Sequence, residues 1–122
     1  MIDDDRDNLF TFDLYLKSIG HLSTISFNDP VEALEYFNKN SSNCILVITD
    51  YRMPQMSGLD LIEKIREKDL NYKIKTILIS ATIKDNIINY NNRFLKLKIN
   101  KFLEKPIIPL ENLKMEIDIL IK

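Results

Sequence analysis

Cys44-Ile45-Leu46-Val47-Ile48-Thr49 is an unbroken apolar and β-branched run that stops at an acid, Asp50. A strand with one wet face alternates apolar and polar residues, whereas a strand apolar at every position is covered on both faces, as in a parallel sheet between helices. Thr76-Ile77-Leu78-Ile79 repeats the pattern and stops at Ser80-Ala81. Two such strands point to an α/β chain with helices packed on each side of a largely parallel sheet.

The segments around them alternate accordingly. From Asp7, the residues Leu9, Phe12, Leu16 and Ile19 recur at helical spacing, with Gly20 as a C-terminal cap. Leu22 to Phe27 reads as a strand. Asp29-Pro30-Val31-Glu32 then offers an N-cap, a first-turn proline and a capping-box glutamate, opening a helix to about Lys39. After the turn-rich Met53-Pro54-Gln55-Met56-Ser57-Gly58, the residues Leu59, Ile62 and Ile65 supply another helical face. A weaker helix covers about Asp85 to Leu97, a short strand runs from Lys101 to Glu104, and Leu110, Leu113, Ile117 and Leu120 pattern a closing helix.

Composition removes several classes. The 122 residues are one domain's worth of sequence, and Lys plus Arg (17) nearly balances Asp plus Glu (18), which argues against direct nucleic-acid binding. The single Cys44, expected in the core, excludes an internal disulfide, and with the single His21, expected beside the second strand, it excludes a Cys/His zinc site. No apolar run approaches the roughly 18–20 residues of a membrane helix, and no signal peptide is visible. A protein of the cytoplasm is the expectation.

In open parallel sheets the ligand site lies at the carboxyl ends of the strands. The polar residues there are Asp3-Asp4-Asp5 after Met1-Ile2, then Asp50, Ser80 and Lys105. Carboxylates from two strands suit a shared hard cation such as Mg²⁺, and a hydroxyl and an ammonium opposite them suit phosphate oxygens.

These residues resemble the receiver domain of two-component response regulators. Asp3-Asp4 is similar to its acidic pair, Thr49-Asp50-Tyr51-Arg52-Met53-Pro54 with Ser57-Gly58 to its phosphoacceptor strand and loop, Ser80-Ala81 to its switch hydroxyl, and Lys105-Pro106 to its lysine-proline. The resemblance spans essentially the whole chain, 1–122, as a single receiver domain. It implies a flavodoxin-like, doubly wound, parallel five-stranded sheet of order 2-1-3-4-5. It also implies that Asp50 accepts phosphate from a sensor histidine kinase or phosphotransfer protein, and that Mg²⁺ is held by Asp4, by Asp3 largely through water, by Asp50 and by the Arg52 backbone carbonyl. Lys105, the Ser80 hydroxyl and the Ala81 amide would bind the phosphoryl group, Phe102 would be the switch aromatic, and a cis peptide would precede Pro106. The implied molecule is a phosphoacceptor switch rather than a turnover enzyme, a monomer or weak homodimer acting on a downstream protein target.

Other readings carry less. A strand-end aspartate is ordinarily a helix cap, but four positions together outweigh that. A calcium loop starting at Asp3 would need glycine at Asn8 and glutamate at Leu14. A Mg²⁺-dependent phosphatase of the haloacid-dehalogenase kind would need a second acid two residues past its nucleophile, where Arg52 stands. A receiver-like module that takes no phosphate is the remaining alternative. Lys84, Arg93, Lys96, Lys98 and Lys101 form a late basic group, either a solvated face or a docking surface.

One departure stands out. The family carries a whole apolar strand before its acidic pair, and here only Met1 and Ile2 precede Asp3. A strand averages about 5–6 residues, so the first strand is expected to be truncated. Either the natural start lies upstream, or this chain is unstable or borrows a strand from another copy.

Overall fold

The computed structural model describes residues 1–20, 23–81 and 95–121. In chain order its elements are α1 (Arg6–Ile19), α2 (Pro30–Asn40), a 3-10 turn (Ser41–Asn43), β1 (Leu46–Asp50), α3 (Gly58–Arg66), β2 (Lys75–Ser80), β3 (Lys101–Glu104) and α4 (Glu111–Ile121). The helix expected over 85–97 falls mostly outside the described residues, of which only 95–97 are helical. His21, Leu22, Lys84 and Arg93 lie outside them too.

Local chemistry sets the helix ends. The Asp5 carboxylate accepts the amides of Asp7 and Asn8 at the start of α1, and Gly20 closes that helix at φ 77, in the left-handed region that glycine occupies without strain. Asp29 caps α2 through the amide of Val31. At α3, Ser57 and Asp60 form a reciprocal capping box, each side chain accepting the other residue's backbone N–H.

Strands β1, β2 and β3 form a parallel sheet in that order, with Ile48 opposite Ile77 and Leu78 opposite Phe102. Their apolar runs serve two cores. Ile48, Ile77 and Ile79 pack with Phe12 and Leu16 of α1 and Leu113 and Ile117 of α4. Val47 faces the other way, onto Ala33 and Phe37 of α2 and Leu61 and Ile65 of α3. Leu78 joins Leu59, Ile62, Leu97 and Ile99. Alternate residues feed opposite layers, which is why Val47 to Thr49 and Thr76 to Ile79 are buried at every position.

Among the described residues the expected five-stranded sheet is realised as three strands and two single-residue bridges. Ile2 bridges Phe27 on one side and Thr49 on the other, both in parallel. The Ile2 amide donates to the Ile48 carbonyl at 2.8 Å, its carbonyl accepts from Asp50 at 2.9 Å, and the Asp3 amide donates to the Phe27 carbonyl at 3.1 Å. Leu22 to Phe27, read as a strand, has only Phe27 in a bridge among its described residues. Its partner there is Met1–Asp3: the Met1 amine donates to the Ile25 carbonyl at 3.0 Å, and the Phe27 amide donates to the Met1 carbonyl at 2.9 Å. Cys44, expected in the core, is only half-buried, because β1 begins two residues later.

Candidate functional site

The carboxyl ends of the strands gather the polar residues. Asp3 is fully buried and Asp50, the last residue of β1, is 7% exposed, while Asp4 reaches solvent. Oxygen atoms of Asp3, Asp4 and Asp50 lie within 4.8 Å of one another. Asp5, the third acid of the run, is taken up by capping α1. Its own amide donates to one Asp3 oxygen at 3.0 Å.

Lys105 follows β3 and reaches across the sheet ends. Its ammonium stands 3.1 Å from Asp3 Oδ2 and 3.1 Å from Asp50 Oδ1, bridging the two buried carboxylates. The Lys105 amide donates to the Ser80 carbonyl at 2.8 Å, which ties the ends of β2 and β3 together. The peptide bonds Lys105–Pro106 and Ile108–Pro109 are both cis. Burial pushes the Asp50 carboxyl above its usual range and the neighbouring Asp3 charge pushes it further, against the opposing pull of Lys105. For Lys105, burial favours the neutral amine, but its hydrogen bonds and ion pairs with Asp3 and Asp50 outweigh this, and its pKa is raised.

The other residues singled out from the sequence fall around this centre. Ser80 ends β2 and is buried, with Ala81 exposed just after it. Arg52 is exposed and shares an open hollow with Asp4, Met53, Pro54 and Ser57. Phe102 lies on β3, half-buried against the cluster around Leu78 and Ile99. Of the basic group, Lys98 sits over the Tyr72 ring at 4.4 Å and Lys101 pairs with Glu116 at 3.4 Å.

An oxygen-only donor set beside a half-buried ammonium suits a hard divalent cation and a phosphoryl group better than a soft metal. The response regulator receiver domain family matches residues 1–118. The chain belongs to that family. Curated relatives include CheY1, a chemotaxis protein of Helicobacter pylori, 33% identical over 77% of this chain and 73% of that one. Another is the cyclic-nucleotide phosphodiesterase regA of Dictyostelium discoideum, 35% identical over 95% of this chain but only 14% of that protein's length. The receiver also superposes on a response regulator receiver protein from Pseudomonas putida (TM-score 0.78, 30% identity, 96% of this chain and 91% of that one). It shares its fold with CheY in the CheX–CheY–BeF₃–Mg²⁺ complex from Borrelia burgdorferi (TM-score 0.80, 24% identity, 99% and 87%). Receivers are typically phosphoacceptors rather than turnover enzymes, and the Asp3, Asp4 and Asp50 cluster is typical of their Mg²⁺ site. Among the described residues no helix is long and apolar enough to cross a membrane.

The sequence reading passed over a second polar centre at the opposite end of the sheet. Arg66, buried at the end of α3, pairs with buried Asp69 at 2.6 Å and donates to the carbonyls of Ile74, Leu97 and Lys98. Asp69 in turn accepts the amides of Lys73 and Ile74. An arginine in a helix's last turn looks like an ordinary charge there, and no local pattern distinguishes it.

Proposed function

We propose that this chain is a single receiver domain, 1–122, that accepts a phosphoryl group on Asp50 from a sensor histidine kinase or phosphotransfer protein in the cytoplasm. It would signal by contacts with a protein target, as a monomer or weak homodimer. The observation that carries the reading is the Lys105 ammonium held between Asp3 and Asp50, with Asp4 alongside. An Asp50 oxygen attacks phosphorus, the P–N bond of the phosphohistidine breaks, and its electron pair returns to the imidazole, leaving an acyl phosphate. Asp3, Asp4, Asp50 and the Arg52 carbonyl would hold Mg²⁺, which supplies charge neutralisation for the incoming phosphoryl oxygens. Lys105 moves from bridging two carboxylates to balancing phosphoryl charge, and the Ser80 hydroxyl and Ala81 amide donate to the bound group. Drawing Ser80 toward the phosphate frees space for the Phe102 ring, which is the proposed switch.

Incubation with acetyl phosphate and Mg²⁺, read by intact mass, tests this. One phosphoryl group per chain is expected, absent with EDTA and absent in Asp50→Asn. No labelling under any condition would leave a receiver-like binding module, and sustained release of phosphate from small phosphomonoesters would indicate a phosphatase.

A further inference from the structure

The end of the sheet opposite the carboxylates is basic. Arg66, in the last turn of α3, donates to the carbonyls of Ile74, Leu97 and Lys98, and so holds the turn before β2 against the turn before β3. These two turns expose Lys68, Lys73, Lys96 and Lys98. The acids among them are already engaged: buried Asp69 holds Arg66 at 2.6 Å, and Glu67 stands 3.7 Å from Lys64. Among the described residues none of the four lysines is in an ion pair. The chain as a whole carries a formal net charge of -1, but charges are screened beyond about 8–10 Å at ordinary ionic strength, so a partner meets this local surplus.

Two leucines project from the same turns, Leu70 at 78% exposure and Leu95 at 69%. The Tyr72 hydroxyl joins the turns by donating to the Lys96 carbonyl at 3.4 Å, and Lys98 Nζ stands over the Tyr72 ring at 4.4 Å. The Arg66 guanidinium lies 5.2 Å from the centre of that ring. The ring therefore carries cations where a nucleic-acid base would stack. Both Tyr72 and Lys98 have left-handed backbones, with φ 55 and 51. Glycine would relax either position, so this aromatic and this cation are kept against a conformational penalty.

A projecting leucine needs a matching pocket in a folded partner and none in a bilayer, and each lysine beside it gains from anionic headgroups. We propose that this pole docks on an anionic membrane surface, Leu70 and Leu95 entering the interface while Lys68, Lys73, Lys96 and Lys98 meet the headgroups. Strand β2 starts at this pole and ends at Ser80; at about 3.3 Å per residue its 6 residues hold the carboxylate site about 20 Å from the lipid, facing away from it. The inference goes beyond the phosphoacceptor reading and stands apart from it, since none of these side chains belongs to that site.

The test is sedimentation of the full chain with vesicles of phosphatidylglycerol and phosphatidylcholine in equal parts, set against vesicles of phosphatidylcholine alone. Half of the chain is expected on the mixed vesicles at about 0.1–1 mM lipid in about 0.05 M salt, released in about 0.5 M salt, and none on phosphatidylcholine alone. Changing Lys68, Lys73, Lys96 and Lys98 to glutamine should weaken binding about fivefold at each position. Leu70→Ser with Leu95→Ser leaves the charge intact and should weaken binding about tenfold. These side chains are exposed, so each variant is expected to keep the parent Tm. No sedimentation with the mixed vesicles at low salt, equal binding to both kinds of vesicle, or undiminished binding by the lysine variant would overturn the proposal. So would capture of polyglutamate or a single-stranded oligonucleotide with the vesicles left bare, which would assign the pole to an acidic protein or a nucleic acid.

Discussion

Asp50 is held in a place that suits its chemistry and strains its charge. Burial and the Asp3 carboxylate raise its pKa, with Lys105 opposing, so the ionised form is less stable there than in the unfolded chain. Asp50→Asn keeps the shape and removes the charge, while Lys105 retains Asp3 at 3.1 Å. Thermal melting is therefore expected to show Asp50→Asn a few degrees more stable than the parent, although it takes no phosphate; a lower Tm would mean that the Lys105–Asp50 pair outweighs the repulsion. At this scale the sequence was informative wherever a side chain ends a strand, because Asp50, Ser80 and Lys105 interrupt apolar runs. It was silent on Arg66. That side chain's partners include Leu97 and Lys98, more than thirty positions along the chain, and only the folded sheet brings them together. Arg66→Ala leaves Asp69 buried without its cation, and urea unfolding should show a loss of about 3–5 kcal/mol.

The fit between β1 and α3 turns on Gly58. Its amide donates to the Tyr51 carbonyl at 2.8 Å, and a Cβ at this position would collide with the Asp50 backbone carbonyl and lie 2.7 Å from Leu78 Cδ1. Gly58→Ala forces the helix away from the end of the strand that carries the phosphoacceptor. The expected outcome is a loss of about 1–3 kcal/mol in denaturant unfolding together with slower labelling by acetyl phosphate, and unchanged labelling would show that the helix, not Asp50, gives way. The elements themselves were legible where they are long and periodic. Strand β2 runs one residue beyond the apolar Thr76–Ile79 stretch at each end, and β3 matches the reading residue for residue. The segment 22–27 was not legible, because whether β-prone residues become a strand depends on what stands beside them. The reciprocal cap at Ser57 and Asp60 was missed in a stretch read only as turn-rich, although its spacing is that of a capping box.

For the molecule as a whole, Met1 stands beside the sheet, its amino group donating to the Ile25 carbonyl at 3.0 Å. Burial pulls the Met1 amino group down from 8.0 to about 6. Between those values the unfolded chain binds a proton that the folded chain does not, so stability is greatest above pH 8 and falls as pH drops toward 6. Melting curves at pH 8 and pH 6 are expected to differ in that direction, and acetylating the α-amino group should remove the difference; a slope that survives acetylation would belong to another group. The overall layering was legible from two apolar runs alone, since strands buried on both faces demand helices on both sides. How the sheet is completed around Met1 was not, because propensity says nothing about hydrogen bonds made at a terminus. The same placement decides how the protein is handled at the bench. An affinity tag or fluorophore joined ahead of Met1 would begin in a cleft lined by Ile25, Leu46 and Ile48. Such a fusion would therefore report on the linker's own sequence, apolar linkers tightening the fold and glycine-serine linkers wedging it open, and instrument choices made for convenience would become variables of the experiment.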